Sequence, residues 1–397
     1  MVSHGNLLAN LEMIRISCGN TRASTYVSWV PLYHDMGLVL NALQALYVGA
    51  LCVLIPPLAF LQRPYLWLRA ISDYRAEVAV SPNFGFDLCV DRYRPDQMAG
   101  IDLSCWKLAL NGAEPVRAET IRRFAETFRA HGFAANTIYP AYGMAEATLL
   151  ISGGRRGEGP IFRPVSRAGL SRHKAIESAE NVDSQTLVGC GRGLIGEEIA
   201  IVDPATGIRL GADHIGEIWV SGPNVAQGYW RNPEATEATF RSHITGEAAR
   251  SWLRTGDLGL LGGAGELFIT GRIKDVIIIR GANHYPQDIE ATVQGSHPAL
   301  RRHGGAAFAI ADNEHREQLI VVQEVERTER NRIVPSQLVG RIREAIVNEH
   351  DIVPREIVLL RPGALPKTTS GKIQRALARK LWQEGRLETI SAGAPQP

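Results

Sequence analysis

A chain of 397 residues with 45% hydrophobic and 21% charged residues has the composition of a protein of two or three domains with a large core. Its formal net charge of +2 is too small to favour nucleic acid or an anionic membrane as the main partner. The five cysteines form no C-x-x-C pair, so we expect neither a zinc site nor a disulfide framework, and we expect a reducing, cytoplasmic compartment.

One segment has the length of a membrane span, because residues 36–55 carry no charged side chain. Two amides, Asn41 and Gln44, and a Gly-Ala pair at 49–50 interrupt its apolar character. The pattern predicts a buried helix at about 38–48 and a buried strand at 51–55, and therefore not an integral membrane protein.

Strand-like and helix-like segments alternate over roughly the first 150 residues. Strands are expected at 25–29, 51–55, 78–81, 106–111 and 136–141, and helices at 38–48, 66–74, 84–93 and 117–131. This alternation predicts a doubly wound α/β architecture, a parallel sheet covered by helices, in which ligands bind at the carboxyl ends of the strands.

The rest of the chain predicts further parts. Residues 153–186 are poor in apolar runs, and we expect a long loop or insertion that ends an α/β part at 1–186. Short strands over 187–273, including 199–202, 216–221 and 266–270, predict a small β-barrel-like subdomain of the large domain. A small, mobile α+β domain is expected at 274–390, with strands at 276–279, 305–310 and 319–324, helices at 286–294 and 335–350, a flexible loop at 363–371 and a basic helix at 373–384. Residues 391–397 are expected to form a disordered tail.

Two motifs follow predicted strands, NGAEP at 111–115 and YPAYGMAE at 139–146. The small residues Gly112 and Ala113 permit the close approach of a flat ring, and Tyr142 could cover a ring face. Glu146 has the carboxylate that Mg²⁺ takes together with phosphate oxygens. For either motif alone, an ordinary strand-to-helix turn with a capping carboxylate is the better interpretation.

Residues 254–274, RTGDLGLLGGAGELFITGRIK, place Asp257 and Arg272 on either side of the strand predicted at 266–270. An Asp can accept hydrogen bonds from two ribose hydroxyls, and an Arg offers a fork of donors to ribose or phosphate oxygens. A hairpin with solvated charges at its turns explains the same residues, so this segment alone does not distinguish the two interpretations.

Lys372 ends the segment LPKTTSGK, which is not a Walker A motif because no glycine lies five residues before Gly371. A lysine on a Gly/Ser loop can still bring a point charge to developing negative charge, although a solvated loop lysine is the alternative. His34 and Asp35 could form a general base pair at a substrate site, whereas a His beside an Asp in a loop is more often structural.

Taken together, these motifs closely resemble the adenylate-forming superfamily of acyl-CoA synthetases, peptide-synthetase adenylation domains and luciferases. The motifs are PLYHDMG, NGAEP, YGMAE, GEIWVSGPNVAQGYW, RTGDLG, GRIKDVIIIRGANHYPQDIE and PKTTSGKIQR. The segments SWVPLYHDMGL, SPNFGFDLC, NGAEPV, GELFITGR and NHYPQDIE resemble in particular the fatty acyl-AMP ligases that supply polyketide and peptide synthetases. The resemblance spans almost the whole chain.

This resemblance implies that ATP activates a long-chain fatty acid as an acyl adenylate, with release of pyrophosphate. The acyl group would then pass to the phosphopantetheine arm of an acyl carrier protein. The implied nucleotide-binding residues are Gly112, Ala113, Glu114, Tyr142, Gly143, Met144, Asp257 and Arg272. Glu146 would be the Mg²⁺ ligand, Lys372 the catalytic lysine of adenylation, and Lys274 the hinge of the small domain. Residues 153–186 lie about where this branch carries an insertion.

The family's Thr/Ser/Gly-rich phosphate loop should end just before Met1. We therefore expect the chain to be the C-terminal part of a longer enzyme whose upstream segment adenylation requires. Two alternatives stay open, an acyl-CoA ligase and a non-catalytic module that binds a nucleotide or a carrier protein.

Overall fold

The structure is a computed structural model that describes residues 1–180, 183–247, 250–312, 316–368 and 371–390. It divides into two compact units. The larger unit comprises Met1–Ser166, Lys174–Glu180 and Ser184–Thr270, and the smaller comprises Arg167–His173, Asp183 and the described residues from Gly271 onward. The tail predicted at 391–397 and part of the predicted 363–371 loop lie outside the described residues.

The strands are short and are numbered in chain order. Those of the larger unit are β1 Thr25–Ser28, β2 Leu51–Leu54, β3 Val78–Ser81, β4 Leu108–Asn111, β5 Ile138–Gly143, β6 Leu150–Gly153, β7 Phe162–Ser166, β8 Ser184–Val188, β9 Arg192–Gly193, β10 Glu198–Val202, β11 Gly216–Ser221, β12 Leu253–Leu261 and β13 Leu267–Arg272, the last of which continues into the smaller unit. The smaller unit adds β14 Ile277–Ile279, β15 Ala282–His284, β16 Leu300–Ala311, β17 Glu317–Val325 and β18 Glu356–Leu360.

The helices follow the same order. The α-helices are α1 His4–Cys18, α2 Gln44–Val48, α3 Pro57–Gln62, α4 Tyr65–Asp73, α5 Asn83–Asp91, α6 Ala118–Phe128, α7 Arg167–Leu170, α8 Pro233–Phe240, α9 Pro286–Gly295, α10 Pro335–His350 and α11 Arg375–Gln383. Single 3₁₀ turns lie at Pro95–Met98, Arg129–His131, Ala135–Thr137, Ala145–Ala147 and Ile273–Asp275.

The larger unit is built on a sheet that has seven strands among the described residues, in the order β2-β1-β3-β4-β5-β6-β9. Its first five strands pair in parallel, whereas β6 pairs antiparallel with β5 and with β9. The predicted parallel α/β sheet is therefore confirmed. Because β4 and β5 are parallel neighbours, the residues that follow Asn111 lie next to those at the end of β5.

Aromatic side chains fill the core of this sheet layer. The Trp29 ring stacks on Phe60 with centroids 3.9 Å apart, and Trp67 meets Phe60 edge to face at 5.8 Å. All three side chains are buried, as are Phe124 and Phe128 at their helical spacing on α6. Burying each ring stabilises the fold by about 2–3 kcal/mol, and this packing holds in place the strands whose ends carry the site.

The predicted helix at 38–48 is present, but its first part is not an α-helix. Met36–Leu43 is a π-helix, in which the Asn41 amide donates a hydrogen bond of 2.9 Å to the Met36 carbonyl, and only α2 is α-helical. Asn41 and Gln44 are fully buried, as expected for a helix inside a protein core. Within the described residues, no helix is both long and apolar enough to cross a bilayer.

A second sheet of the larger unit has the order β10-β11-β12-β13. Strands 199–202, 216–221 and 266–270 were predicted close to their observed positions, but β12 was not. Asp257, expected at the mouth of a hairpin, instead lies inside β12. This strand is difficult to predict because it begins with the polar sequence RTGD. A bulge there interrupts the alternation of apolar and polar residues that indicates a strand.

The segment 153–186, expected to be a long loop or insertion, is not a loop throughout. β7 pairs antiparallel with β8 from Phe162 opposite Val188 to Ser166 opposite Ser184, and α7 follows β7 directly. Each strand is only five residues long and one contains a proline, so the segment lacks the apolar run that would have indicated strands.

The smaller unit has a sheet with the order β16-β17-β18, which α9 and α10 cover, and a β14–β15 hairpin. The helix predicted at 335–350 has those bounds in the structure. β15 and β18, with three and five residues, were not predicted. The mixed α/β and α+β class is confirmed.

Candidate active site

The turn after β4 approaches the end of β5 very closely. A Cβ atom on Gly112 would lie 2.8 Å from the Ala141 carbonyl oxygen, so a larger residue would displace the neighbouring strand. Ala113 has a φ of 68°, which is costly for a residue with a side chain. The turn therefore keeps a strained backbone at the carboxyl edge of the sheet, where ligands of such sheets bind.

Asn83, at the start of α5, holds this turn through its side-chain hydrogen bonds. Its Oδ1 accepts hydrogen bonds from the Asn111 amide (3.1 Å) and the Arg117 N–H (3.1 Å), and its Nδ2 donates to the Pro115 carbonyl (2.9 Å). Oε1 of Glu114 is buried and accepts no hydrogen bond from the residues that the structure describes. A buried acceptor without a donor is costly, so this oxygen suits a donor group of a ligand.

Tyr142 and Asp257 are brought together by the fold. The Tyr142 hydroxyl donates a 2.8 Å hydrogen bond to Oδ2 of Asp257, and both side chains are buried. Tyr142 lies near the end of β5, and Asp257 lies on the second sheet of the same unit. Of the predicted nucleotide-binding residues, these two form a direct pair.

A bulge in β12 presents Asp257. The β11–β12 register shifts so that residues 255–257 lie opposite Ile218 alone. The Thr255 hydroxyl donates to the Ile218 carbonyl (2.7 Å) and accepts from the Asp257 N–H (3.1 Å), and Gly256 has a φ of 70°. The positive φ of Gly256 explains the glycine in RTGD. The motif forms a bulge that directs the Asp257 side chain.

Glu217 holds this bulge from β11. Its buried carboxylate accepts hydrogen bonds from the Gly256 N–H (3.1 Å), the Trp219 indole (2.9 Å) and the Arg254 Nε (3.0 Å). Arg254 also lies over the Trp219 ring, 5.4 Å from its centroid. Arg254 thus has a structural partner, and Glu217 is a supporting residue whose role the motif that contains it does not reveal.

Glu146 lies on the Ala145–Ala147 turn just after β5. Its Oε1 accepts a 2.9 Å hydrogen bond from the Tyr229 hydroxyl. Burial, together with this bond, raises the pKa of Tyr229 to about 12, so the hydroxyl stays protonated and donates. A half-buried carboxylate with one oriented oxygen fits Mg²⁺, which takes one or two carboxylates and completes its shell with phosphate oxygens and water.

A preformed metal site, in contrast to a single carboxylate such as Glu146, has several metal-binding side chains close together. Within the described ranges, no group of three or more His, Cys, Asp or Glu side chains could hold a metal ion by itself.

Gly143 and Met144, also predicted at the nucleotide site, shape this turn. A Cβ atom on Gly143 would lie 1.9 Å from the Leu149 carbonyl oxygen, so only glycine fits there. The Met144 N–H donates to the same carbonyl at 2.8 Å. Gly143 therefore has a steric reason to be glycine, and the Met144 backbone helps to close the turn, in addition to the predicted binding roles.

His34 and Asp35 line a cavity of about 680 Å³ in the larger unit. His34 Nδ1 lies 2.6 Å from Asp35 Oδ1, and Asp35 also accepts the Met36 N–H at 2.7 Å at the start of the π-helix. The rest of the lining is mainly apolar and includes Val2, Leu7, Leu32, Leu38, Val39 and Leu43. The cavity extends to Ala145 and Thr148, on either side of the Glu146–Ala147 pair.

The remaining predicted residues belong to the smaller unit. Arg272 ends β13, and Lys274 lies in the 3₁₀ turn that follows it. The Lys372 N–H donates to Thr368 Oγ1 at 3.0 Å, and the Thr368 N–H donates to the Lys372 carbonyl at 2.8 Å. Buried Glu324 holds the start of this loop, since its Oε1 accepts the Gly363 (2.8 Å) and Leu365 (2.9 Å) N–H groups.

Residues 1–230 match the AMP-binding enzyme family, and residues 274–392 match the AMP domain of Disco-interacting protein 2-like proteins. The chain therefore belongs to the AMP-binding enzyme family. Within that family its relatives include fatty acid ligases and 4-hydroxyphenylalkanoate adenylyltransferases. The medium-chain-fatty-acid–[acyl-carrier-protein] ligase JamA of Moorena producens (strain JHB) is 45% identical over 395 residues, which are 99% of this chain and 66% of JamA.

The comparison with solved structures also finds fatty acyl-adenylate ligases. A fatty acyl-adenylate ligase from a study of the E. coli and L. pneumophila enzymes superposes with a TM-score of 0.87 at 35% identity, over 97% of this chain and 67% of that one. The L. pneumophila fatty acyl-adenylate ligase in complex with acyl adenylate and pyrophosphate gives 0.69 at 40% identity, over 98% and 68%. The resemblance to the fatty acyl-AMP ligases is confirmed, and this chain spans about two thirds of the length of these relatives.

Proposed function

We propose that the protein activates a fatty acid with ATP, forming an acyl adenylate and pyrophosphate. The observation that carries this proposal is the 2.8 Å hydrogen bond between Tyr142 and the buried Asp257 carboxylate, next to the Ala141 carbonyl that Gly112 approaches. An aromatic ring beside a buried carboxylate suits a nucleoside, because the ring can take the base and the carboxylate can take the ribose hydroxyls.

The cavity beside His34 supports a fatty acyl substrate. Its volume of about 680 Å³ lies in the range of ordinary ligand pockets, and its lining is mostly aliphatic. The cavity reaches the residues flanking Glu146, so a carboxylate at its mouth would lie near the proposed magnesium–nucleotide site. We assign His34 and Asp35 to the polar end of this substrate site.

In the proposed reaction, a carboxylate oxygen of the fatty acid attacks the α-phosphorus of ATP, and the bond from that phosphorus to the bridging oxygen of pyrophosphate breaks. Lys372 is assigned the stabilisation of negative charge on the reacting oxygens, and Arg272 a contact to ribose. Lys274 is assigned the hinge. These three roles rest on the motifs that carry the residues.

Bound Mg²⁺ would neutralise charge on the phosphate oxygens, and Glu146 would be its protein ligand. Tyr229 would orient this carboxylate through the bond to Oε1. We assign the phosphopantetheine thiol of an acyl carrier protein as the acceptor of the acyl group, with release of AMP. The similarity to JamA, an acyl-carrier-protein ligase, supports this acceptor.

The test is direct detection of the intermediate. The protein is incubated with ATP, Mg²⁺ and fatty acids of medium and long chain, and acyl-AMP and pyrophosphate are quantified by mass spectrometry and a coupled assay. We expect equal amounts of both products, none without fatty acid, and thioester on holo carrier protein rather than on coenzyme A. Acyl-AMP formed only after the upstream segment expected from the sequence is supplied would support the proposal for the extended chain. A chain that binds an acyl-adenylate analogue but forms no acyl-AMP even then would be a binding module, and one that does neither would contradict the proposal altogether.

A further inference from the structure

The turn that carries Glu146 contains a strained residue. Thr148 has φ 66° and ψ −58°, and the Leu149 N–H donates a 2.8 Å hydrogen bond to the Ala147 carbonyl. A bond between residues two apart around a positive φ defines a γ-turn of the rare, strained kind. A threonine keeps such a conformation only where its surroundings enforce it.

The loop that follows β11 holds Thr148 in this conformation through hydrogen bonds. The Thr148 hydroxyl donates a 2.6 Å hydrogen bond to the Asn224 carbonyl, and the Ala226 N–H donates to the Glu146 carbonyl at 2.8 Å. The Asn224 amide also points at the carbonyls of Ala147 (3.4 Å) and Leu150 (3.3 Å). The strained turn is therefore bonded to this loop on both sides of Thr148.

Asn224 is itself held in place. It is fully buried, and its Nδ2 donates a 2.8 Å hydrogen bond to Oε2 of Glu197, whose Oε1 accepts the Leu194 N–H at 2.9 Å. Burial raises the pKa of Glu197 to about 8, so this half-buried carboxyl group is mostly protonated at neutral pH. The chain of bonds runs from Leu194 through Glu197 and Asn224 to the γ-turn.

The same loop also orients the Glu146 side chain. Tyr229, five residues after Asn224, donates to Glu146 Oε1 at 2.9 Å. The backbone and the carboxylate of Glu146 are thus both bonded to one short segment, residues 224–229. A shift of this segment would move the carboxylate.

We infer that Asn224 is a positioning residue, which keeps the Thr148 γ-turn in its strained conformation and thereby directs the Glu146 carboxylate toward a magnesium–nucleotide complex. This inference rests on the proposed function, because it takes Glu146 as the magnesium ligand. Residues that orient a metal ligand commonly change metal affinity by 10–100-fold when they are replaced.

The test measures binding. Calorimetry gives the affinity of a non-hydrolysable ATP analogue with Mg²⁺ and with EDTA, and separately that of an acyl-sulfamoyl adenosine, which needs no metal. We expect Asn224→Ala to reduce the gain in ATP-analogue affinity due to Mg²⁺ by about 10-fold and to leave the binding of acyl-sulfamoyl adenosine unchanged.

Matched variants separate positioning from stability. Thr148→Val removes only the hydroxyl bond and should have the same effect, whereas Thr148→Ser keeps the hydroxyl and should behave as wild type. Asn232→Ala is the control, because Asn232 caps α8 through the Ala235 N–H (3.1 Å) and should lower the melting temperature without changing the magnesium gain. If Asn224→Ala does not fold, Thr148→Val carries the test.

Three results would contradict these claims in distinguishable ways. Equal weakening of both ligands, in proportion to the loss of thermal stability, would give Asn224 a purely structural role. A wild-type protein that binds acyl-sulfamoyl adenosine but gains nothing from Mg²⁺ would overturn the inference and leave the nucleoside site in place. A wild-type protein that binds neither ligand would overturn the proposed function and the inference with it.

Discussion

The Tyr142 hydroxyl donates a 2.8 Å hydrogen bond to the Asp257 carboxylate, although the two residues are 115 positions apart in the chain. The bond joins the end of the parallel sheet to the bulged strand of the second sheet. In the proposed site, this bond would align the Tyr142 ring with the adenine base and the Asp257 carboxylate with the ribose. We expect removal of the Tyr142 hydroxyl, of its ring and of the Asp257 carboxylate to have different effects on stability and on ligand affinity.

Tyr142→Phe keeps the ring and removes the hydroxyl, so we expect the free energy of unfolding to fall by about 1–3 kcal/mol, as for a lost hydrogen bond to a charged group. Acyl-adenylate affinity should fall by less than about 10-fold, since the ring remains. Tyr142→Ala should lose more affinity than Tyr142→Phe. Urea unfolding and calorimetry measure the two quantities, and equal affinities of the Phe and Ala variants would show that the ring does not contact the ligand.

Glu217→Gln tests whether the bulge is held from β11. The substitution removes the charge that faces Arg254 Nη2 at 2.8 Å, in a carboxylate that is only 3% exposed. Since the Arg254 side chain is 37% exposed, we expect a loss of about 1–3 kcal/mol rather than the full cost of a broken buried pair, together with weaker acyl-adenylate binding.

Glu198→Gln is the matched control for this loss. Glu198 lies on β10 of the same sheet, is 44% exposed and pairs with Arg209 at 3.0 Å and with the 54% exposed Arg250. An exposed pair contributes about 1 kcal/mol or less, and binding should not change. Similar losses of stability for the two variants would show that Glu217 does not hold the bulge at the site.

Stability should depend on pH through Glu197. Its pKa is raised from 4.5 to about 8, mainly by burial, against hydrogen bonds from Leu194 and Asn224 that lower it. Between these two values the folded state keeps a proton that the unfolded state has lost, so rising pH destabilises the fold, by up to about 1.4 kcal/mol per pH unit. This stabilisation is complete below pH 4.5 and is lost by the time pH exceeds about 8.

Glu197→Gln isolates this effect, because glutamine is neutral at every pH. We expect the difference in free energy of unfolding between wild type and Glu197→Gln to change steadily from pH 5 to 8 in favour of the variant and then to level off. Chemical unfolding at a series of pH values gives the difference, in which the other titrating groups cancel. A difference that is flat across this range would contradict the raised pKa.

Lys372→Gln should lower the rate of acyl-AMP formation by about 100-fold or more, as for the loss of one charge-stabilising donor. Binding of an acyl-sulfamoyl adenosine should change much less, since the assigned role is in the reaction step. Lys380→Gln is the control, because Lys380 is a 69% exposed lysine on the following helix and should leave the rate unchanged. Equal rates for the Lys372 and Lys380 variants would refute the assigned role.

The sequence predicted the fold class and most elements of the parallel sheet, because their apolar runs are bounded by Gly, Pro and polar residues. It did not predict β12, since the bulge at 255–257 breaks the alternation of apolar and polar residues. The π-helical form of Met36–Leu43 was also missed, because periodicity does not distinguish a π-helix from an α-helix over eight residues.

The motifs predicted the site residues but not the residues that hold them, although Glu217 and Asn224 both lie inside the motif GEIWVSGPNVAQGYW. Glu217 and Asn224 read as ordinary polar residues in a strand and a loop, and their importance comes from burial, which only the tertiary structure shows. One signal was available: a glutamate at the start of the apolar run GEIWVSG is a charge that burial would oblige to find partners.

The central claim is that the Tyr142–Asp257 pair holds the nucleoside of an acyl adenylate. The most direct test is calorimetric titration of the protein, and of Asp257→Ala, with an acyl-sulfamoyl adenosine. We expect saturable binding of one ligand per chain by the wild-type protein and a loss of at least about 100-fold in affinity in the variant, because two charge-assisted hydrogen bonds to ribose are removed. Equal affinity of the two proteins, or no binding by a folded wild-type protein, would contradict the claim.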